Sequence, residues 1–275
     1  MPAHVRGPAL LFCPGDRPDR FDKALAAADS VILDLEDAVG PQHKDLARKH
    51  VIEALGRLDH EAVLVRVNAL DTPWHEDDLA ALAPFPNVVV MLPMTVSAAA
   101  VESIAHPVVA LCETARGILR APEIAASRNC VGMMWGSEDL VADLGADRGR
   151  AADGGYRPEA VHARTQILYA ARANGVSPID TVLVDIADLD TLAADSATAA
   201  ASGYTAKACI HPTQVAVVRT AFRPSDDEIR WARDVLAEAQ AHSGVFTFQG
   251  RMVDAPVLAH ARDILRRVTT LTRTV

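Results

Sequence analysis

One pattern limits the fold of this chain more than any other: a short apolar run followed by a segment of helical spacing, repeated eight times. The runs are ALLFCP (9–14), VILDLED (31–37), AVLVRV (62–67), NVVVMLP (87–93), PVVALCET (107–114), VGMMWGSED (131–139), TVLVDIAD (181–188) and AKACIHP (206–212). Between them lie Ala-, Leu-, Arg- and Glu-rich stretches such as RPDRFDKALAAA, KDLARKHVIEAL and EAVHARTQILYAARANG, with ends marked by Gly, Pro or Asn. The runs are almost continuously apolar, as expected of parallel strands covered on both faces. Eight strand–helix units predict an α/β fold of the (β/α)8 TIM-barrel type. A doubly wound open sheet is the alternative, but no GxGxxG follows the first run.

After Phe222 the pattern changes. RPSDDEIRWARDVLAEAQAH reads as one amphipathic helix starting at a Ser cap, GVFTFQGRMVDAP as a loop or short hairpin, and VLAHARDILRRV as a last helix. The expected division is a barrel domain over residues 1–222 and a C-terminal helical extension over 223–275. With 275 residues and 50% hydrophobic content, the chain buries a sizeable core.

A net charge of −9 argues against nucleic acid or an anionic membrane as the chief partner, because both require a basic surface. The N-terminal MPAHVRGPALLFCPGD holds an apolar run too short for a signal segment or a membrane span, and reads as a strand of a cytoplasmic protein. Cys13, Cys112, Cys130 and Cys209 are scattered without CxxC spacing, which suggests neither a zinc ribbon nor a disulfide framework.

In a barrel of this type, function gathers where strands end, so the polar residues closing each run are the candidates. They are Cys13, Pro14 and Gly15; Asp34, Glu36 and Asp37; Arg66 and Asn68; Pro93; Glu113 and Thr114; Ser137, Glu138 and Asp139; Asp185 and Asp188; and His211. So many carboxylates at one rim would repel unless a cation lies among them. Glu113 and Asp139 end consecutive runs and, with substrate oxygens and water, would suit Mg2+. A zinc site would want His or Cys ligands instead. Equally open is a structural role, with Glu113 capping the following helix and Asp139 pairing outward. Arg66 ends a buried run and wants a carboxylate partner, either a ligand or Glu36 or Asp34. Strand alternation sets Asp34 and Glu36 on one face with Ile32, and Asp37 on the other with Leu33 and Leu35, so the three acids are not expected to share one role.

The motifs PGDRPDRFDKA, ILDLEDAV, VRVN, ETARG, MMWGSEDL, KACIHPTQ, AFRPS and GRMVDAPV, in this order and spacing, make the chain resemble the citrate lyase beta subunit-like branch of the HpcH/HpaI aldolase superfamily, including its malyl-CoA and citramalyl-CoA lyases. The resemblance implies a Mg2+-dependent barrel enzyme, a lyase of the oxo-acid type. It would cleave or form a carbon–carbon bond between an acyl-CoA thioester enolate and a 2-oxo acid. Residue by residue it implies Glu113 and Asp139 as metal ligands, and Arg66 as the arginine holding the oxo-acid carboxylate. It further implies Asp254 as a general acid/base supplied by a neighbouring subunit, hence a homo-oligomer, a trimer; Asp254 followed by Ala255 and Pro256 also reads as an ordinary helix cap.

Arg17 and Arg20, just after the first strand, suit the phosphates of coenzyme A or else a solvated helix face. Lys207 and His211 close the last run, where His211 would contact the carrier or bond between loops. Glu36 and Asp37 are then read as supports that bind metal-bound water or orient Arg66. In one place the chain departs from the family pattern: Met94 stands in LPMT where the family usually has Lys. Two alternatives accompany this reading, a citryl-carrier lyase subunit of a multicomponent citrate lyase and a malate synthase or thioesterase acting on acyl-CoA.

Overall fold

The computed structural model describes residues 5–272. Eight parallel strands close on themselves in sequence order: β1 (Ala9–Pro14), β2 (Ser30–Asp34), β3 (Val63–Arg66), β4 (Val89–Leu92), β5 (Val108–Cys112), β6 (Cys130–Trp135), β7 (Ser177–Asp180) and β8 (Ala206–Cys209). The ring is completed by β1 against β8, with Leu10 opposite Ala208. The predicted TIM barrel is present.

Side chains alternate across each strand, and one parity fills the barrel: Leu10, Ile32, Leu64, Met91, Val109, Leu111, Met134, Ile179 and Ala208 form one buried cluster. Small residues on β8 and at Gly132 let the larger aliphatics of β3 to β6 meet at the axis. The other parity, including Leu33, Val65, Val90 and Cys112, is buried under the helical layer.

The seventh strand is a correction. The run TVLVDIAD follows the strand; β7 itself is the preceding SPID. Pro178, opposite Met133, lends the segment no N–H but still accepts from Thr205 N–H through its carbonyl (3.0 Å). Val184 and Ile186 of the more strand-like run are exposed.

The described residues divide into two compact units, the first ending at Val218 and the second beginning at Arg219, within the helix Pro212–Phe222. In the second unit the helix Asp226–Glu238 opens with a capping box, Ser225 accepting from Glu228 N–H while the Glu228 carboxylate accepts from Ser225 N–H. A two-stranded hairpin follows, β9 (Phe246–Phe248) with β10 (Arg251–Val253). Its turn residues Gln249 (φ 48°) and Gly250 (φ 75°) are both left-handed, as a tight hairpin turn requires. The helix Ala255–Thr272 closes the unit, packing its Ala261 and Ile264 in one cluster with Val235, Phe246 and Val253. No helix among the described residues is long and apolar enough to cross a membrane.

Candidate metal and substrate site

The polar site grows out of the barrel core by the same alternation that builds it. Two residues beyond Ile32, Leu64, Leu111 and Met134 come Asp34, Arg66, Glu113 and Gly136, so the stripes that fill the interior end on a polar layer at the C-terminal mouth.

Arg66 is gripped on one edge by Asp34, with Nε to Oδ1 at 2.7 Å and Nη2 to Oδ2 at 2.6 Å. The same carboxylate accepts from the N–H groups of Glu36 (2.9 Å) and Ala38 (3.1 Å). The chain therefore turns at Asp34 instead of continuing as strand. This overturns the alternation drawn through residues 35–37: Glu36 and Asp37 both swing to Arg66 Nη1, at 2.8 Å and 3.4 Å. All three acids meet one guanidinium. The turn is pinned from outside by Lys44, whose Nζ donates to the carbonyls of Leu35 and Glu36, both at 2.7 Å. Burial pushes the Glu36 carboxyl up to about 8, against the lowering influence of Arg66, and Asp37 and Glu113 push it further. Its Oε2, though beside Nη1, makes no well-aligned hydrogen bond.

Glu113 sits two residues past the last interior leucine of β5, 3% exposed. Its Oε1 accepts from Met94 N–H at 2.8 Å, and Met94 adopts a left-handed φ of 50° to present that group. The contact uses the backbone, so it is indifferent to Met or Lys at this position. Burial raises the Glu113 carboxyl to about 8; the Met94 N–H opposes this and the charge of Asp139 adds to it. Asp139 lies exposed in the first turn of the helix Ser137–Asp143 that follows β6. Arg66 and Asp37 thus act on both buried carboxyls, Glu36 and Glu113, and Asp139 acts on Glu113. Gly136 is what makes room: a Cβ there would stand 2.5 Å from Glu113 Oε2 and 2.8 Å from its Cβ.

The donor set fits a hard divalent cation. Three carboxylates face the Arg66 guanidinium, and the Lys44 ammonium is committed to carbonyls. Among the described residues no three His, Cys, Asp or Glu side chains form a ready cage. Two carboxylates plus water and substrate oxygens are a usual protein share of a magnesium site.

The remaining candidates are placed otherwise. Arg17 folds back on Asp19 (Nε to Oδ1, 3.1 Å), and both it and Arg20 are exposed after β1. His211 bonds its near neighbour Thr213 at 2.8 Å. Asp254 belongs to the second unit, where it caps the helix Ala255–Thr272 through Oδ1 and Val257 N–H (3.3 Å) and lines a cavity of about 380 Å³ with His242, Val245 and Leu258. Asp185 accepts from Ala187 N–H and Asp188 from Thr191 N–H, both at 3.0 Å, which makes them turn and cap residues.

A buried network behind β6 to β8 went unread in the sequence. Asp180 takes Lys207 Nζ (2.9 Å), Arg164 Nη2 (2.9 Å) and Trp135 Nε1 (2.9 Å). Burial alone would raise the Asp180 carboxyl, but Lys207 and Arg164 outweigh it and hold the group below its ordinary value. The available signal was an Asp and a Lys interrupting adjacent apolar strands, at paired positions of β7 and β8.

Comparison with known proteins gives a consistent set. Residues 9–212 match the HpcH/HpaI aldolase/citrate lyase family, and residues 163–271 match a carbon–carbon bond lyase family of the TIM-barrel fold. A citrate lyase subunit beta-like protein of Mycobacterium tuberculosis is 50% identical over 268 residues, 97% of each chain. The citrate lyase subunit beta of Leuconostoc mesenteroides is 34% identical, over 94% of this chain and 91% of that one. Among solved structures, protein CitE from Mycobacterium tuberculosis in complex with magnesium, acetoacetate and coenzyme A superposes with a TM-score of 0.89 at 50% identity, covering 96% of this chain and 99% of that one.

Proposed function

Because the chain belongs to the HpcH/HpaI aldolase/citrate lyase family, we propose that it is a Mg2+-dependent carbon–carbon lyase acting on a free β-hydroxyacyl-CoA of the malyl, citramalyl or citryl type. The observation that carries this reading is the buried Glu113 carboxylate at the barrel mouth, in one electrostatic group with Asp139 and Arg66. The solved relative's complex with magnesium, acetoacetate and coenzyme A supports the same ligand classes.

Glu113 and Asp139 would hold the metal, which when bound supplies Lewis-acid polarisation of the substrate's oxo or hydroxyl oxygen. Arg66 would bind the carboxylate of the oxo-acid half. Its Nε edge is taken by Asp34, so the ligand must engage Nη1 and the outer proton of Nη2, displacing Glu36 or Asp37 from contact. That exchange of one carboxylate for another leaves the guanidinium paired throughout, and Asp34 fixes its plane before the ligand arrives. In the cleavage direction the substrate hydroxyl gives its proton to a water acting as base, its oxygen forms the oxo group as the carbon–carbon bond breaks, and the electron pair of that bond moves onto the thioester as an enolate. Asp254 of another copy would pass a proton to the enolate carbon, and the return direction reverses each move. A site completed this way needs an oligomer, with a trimer as the proposed state. The exposed Arg17 and Arg20 after β1 are proposed to meet coenzyme A phosphates.

The test is to purify the chain alone and assay malyl-CoA, citramalyl-CoA and citryl-CoA cleavage, and acetyl-CoA with glyoxylate, with and without Mg2+. Mg2+-dependent release of an oxo acid from one of these supports the reading. Turnover only after adding a carrier subunit would overturn the free-CoA assignment in favour of a multicomponent lyase. Hydrolysis of the thioester with the carbon–carbon bond left intact would assign a thioesterase.

A further inference from the structure

The helix Ser137–Asp143 carries Asp139 into the site, yet it lacks the cap such a helix ordinarily has. Its N-cap position is Gly136, which has no side chain to accept from the first N–H groups. The cause lies next door: any Cβ at 136 would strike Glu113. Admitting one metal-site carboxylate therefore removes the cap from the helix bearing the other.

One of those N–H groups, that of Ser137, finds its acceptor on the segment after β7. Thr181, immediately after β7, accepts from Ser137 N–H through Oγ1 at 3.2 Å and donates to Ser137 Oγ at 3.3 Å. Ser137 Oγ in turn donates to Glu138 Oε1 at 3.0 Å. Thr181 itself is fixed: it is 1% exposed, and its carbonyl accepts from the fully buried Lys207 Nζ at 2.7 Å. Lys207 is locked to Asp180, which also holds the Trp135 indole at the end of β6. At its other end the helix is tied to the Glu113 loop, Asp143 Oδ2 accepting from Ala115 N–H at 2.8 Å.

The geometry points to Thr181 as a positioning residue for Asp139: its hydroxyl holds the first N–H of the helix, at an end where Gly136 offers no side chain, and so sets the spacing of Asp139 from Glu113. This rests on the reading of Glu113 and Asp139 as the metal site. Removing a hydroxyl that orients a ligand-bearing element should weaken metal binding by about tenfold.

The experiment titrates Mn2+ into the full-length protein and follows free ion by electron paramagnetic resonance, with thermal unfolding of each variant in the absence of metal. Thr181→Val should bind Mn2+ about tenfold more weakly, and Thr181→Ser should return to the wild-type value. Thr181→Ala removes the same hydroxyl should Thr181→Val not fold. Ser196→Ala is the control: it deletes a comparably buried hydroxyl bond (Oγ to Leu192 carbonyl, 2.6 Å) that makes no contact with the helix Ser137–Asp143 and should leave Mn2+ affinity unchanged. Wild-type affinity in Thr181→Val, or in Thr181→Ala where Thr181→Val does not fold, or equal weakening in Thr181→Ser or Ser196→Ala, overturns the positioning role. If Asp139→Asn binds Mn2+ as tightly as wild type, the metal-site reading fails instead, and the inference with it.

Discussion

Arg66 and Asp34 pair edge to edge at adjacent strand ends, Nε to Oδ1 at 2.7 Å and Nη2 to Oδ2 at 2.6 Å, with Asp34 wholly buried. The fork leaves one outer edge for a ligand, a geometry that an ammonium cannot reproduce. Arg66→Lys should lower kcat/KM for the oxo-acid substrate by roughly thirtyfold, about 2 kcal/mol, with KM carrying part of the loss. Steady-state kinetics at saturating Mg2+ measures it, and a wild-type kcat/KM would remove Arg66 from substrate binding.

Gly136 and Glu113 make a steric prediction. A methyl group at 136 would occupy space already filled by the Glu113 side chain, so Gly136→Ala must push that carboxylate out of its seat. Metal bound to the native state alone stabilises it, by about 2.7 kcal/mol at a hundredfold excess over Kd. Mg2+ should therefore raise the unfolding temperature of wild type, and should do so much less for Gly136→Ala and for Glu113→Gln, while far-ultraviolet circular dichroism of all three stays the same. An unchanged Mg2+ response in Glu113→Gln would exclude it as a ligand.

Asp180 anchors two cations inside the protein. Asp180→Asn leaves Lys207 and Arg164 buried without their carboxylate, a defect that costs about 3–5 kcal/mol. The native carboxyl is held below its ordinary value, so its stabilising share is complete above the unfolded value near about 3.9 and disappears as pH falls through the lower folded value. Urea unfolding should show the gap between wild type and Asp180→Asn at full size at pH 7 and shrinking below about pH 4. A gap constant down to pH 2 would mean the carboxylate charge is not what the network uses.

Where the sequence was legible, the reason was periodicity. The runs that gave β1 to β6 and β8 are apolar because both faces of a barrel strand are covered. β7 escaped because SPID starts with Ser and contains Pro, while the neighbouring TVLVDIAD has strand composition but an irregular course, with Thr181 and Leu183 buried and Val184 and Ile186 exposed. At the second strand the periodicity ends early: Asp34 uses both oxygens to cap the following N–H groups, and the alternation stops there. Glu113 and Asp139 were identifiable as strand-end acids, but their relation depends on Gly136, Met94 N–H and Thr181, contacts between separate strands that no local pattern encodes.

Asp254 has two roles to disentangle, and the cap supplies the means. Its Oδ1 accepts from Val257 N–H at the start of the last helix, a bond that Ser can also make. Asp254→Ser should therefore keep the unfolding temperature close to wild type while removing the proton-transferring carboxyl, with a loss in kcat of about 10²–10⁴-fold. Asp254→Ala should lose both, with about 1 kcal/mol of stability gone as well. If the carboxylate serves the barrel of another copy, co-refolding Asp254→Ser with Glu113→Gln should rebuild some sites from one intact barrel and one intact extension. Activity would then reappear in the mixture although each parent is inactive. A mixture as inactive as its parents would show that Asp254 does not act across subunits, and full activity of Asp254→Ser alone would reduce the residue to its cap.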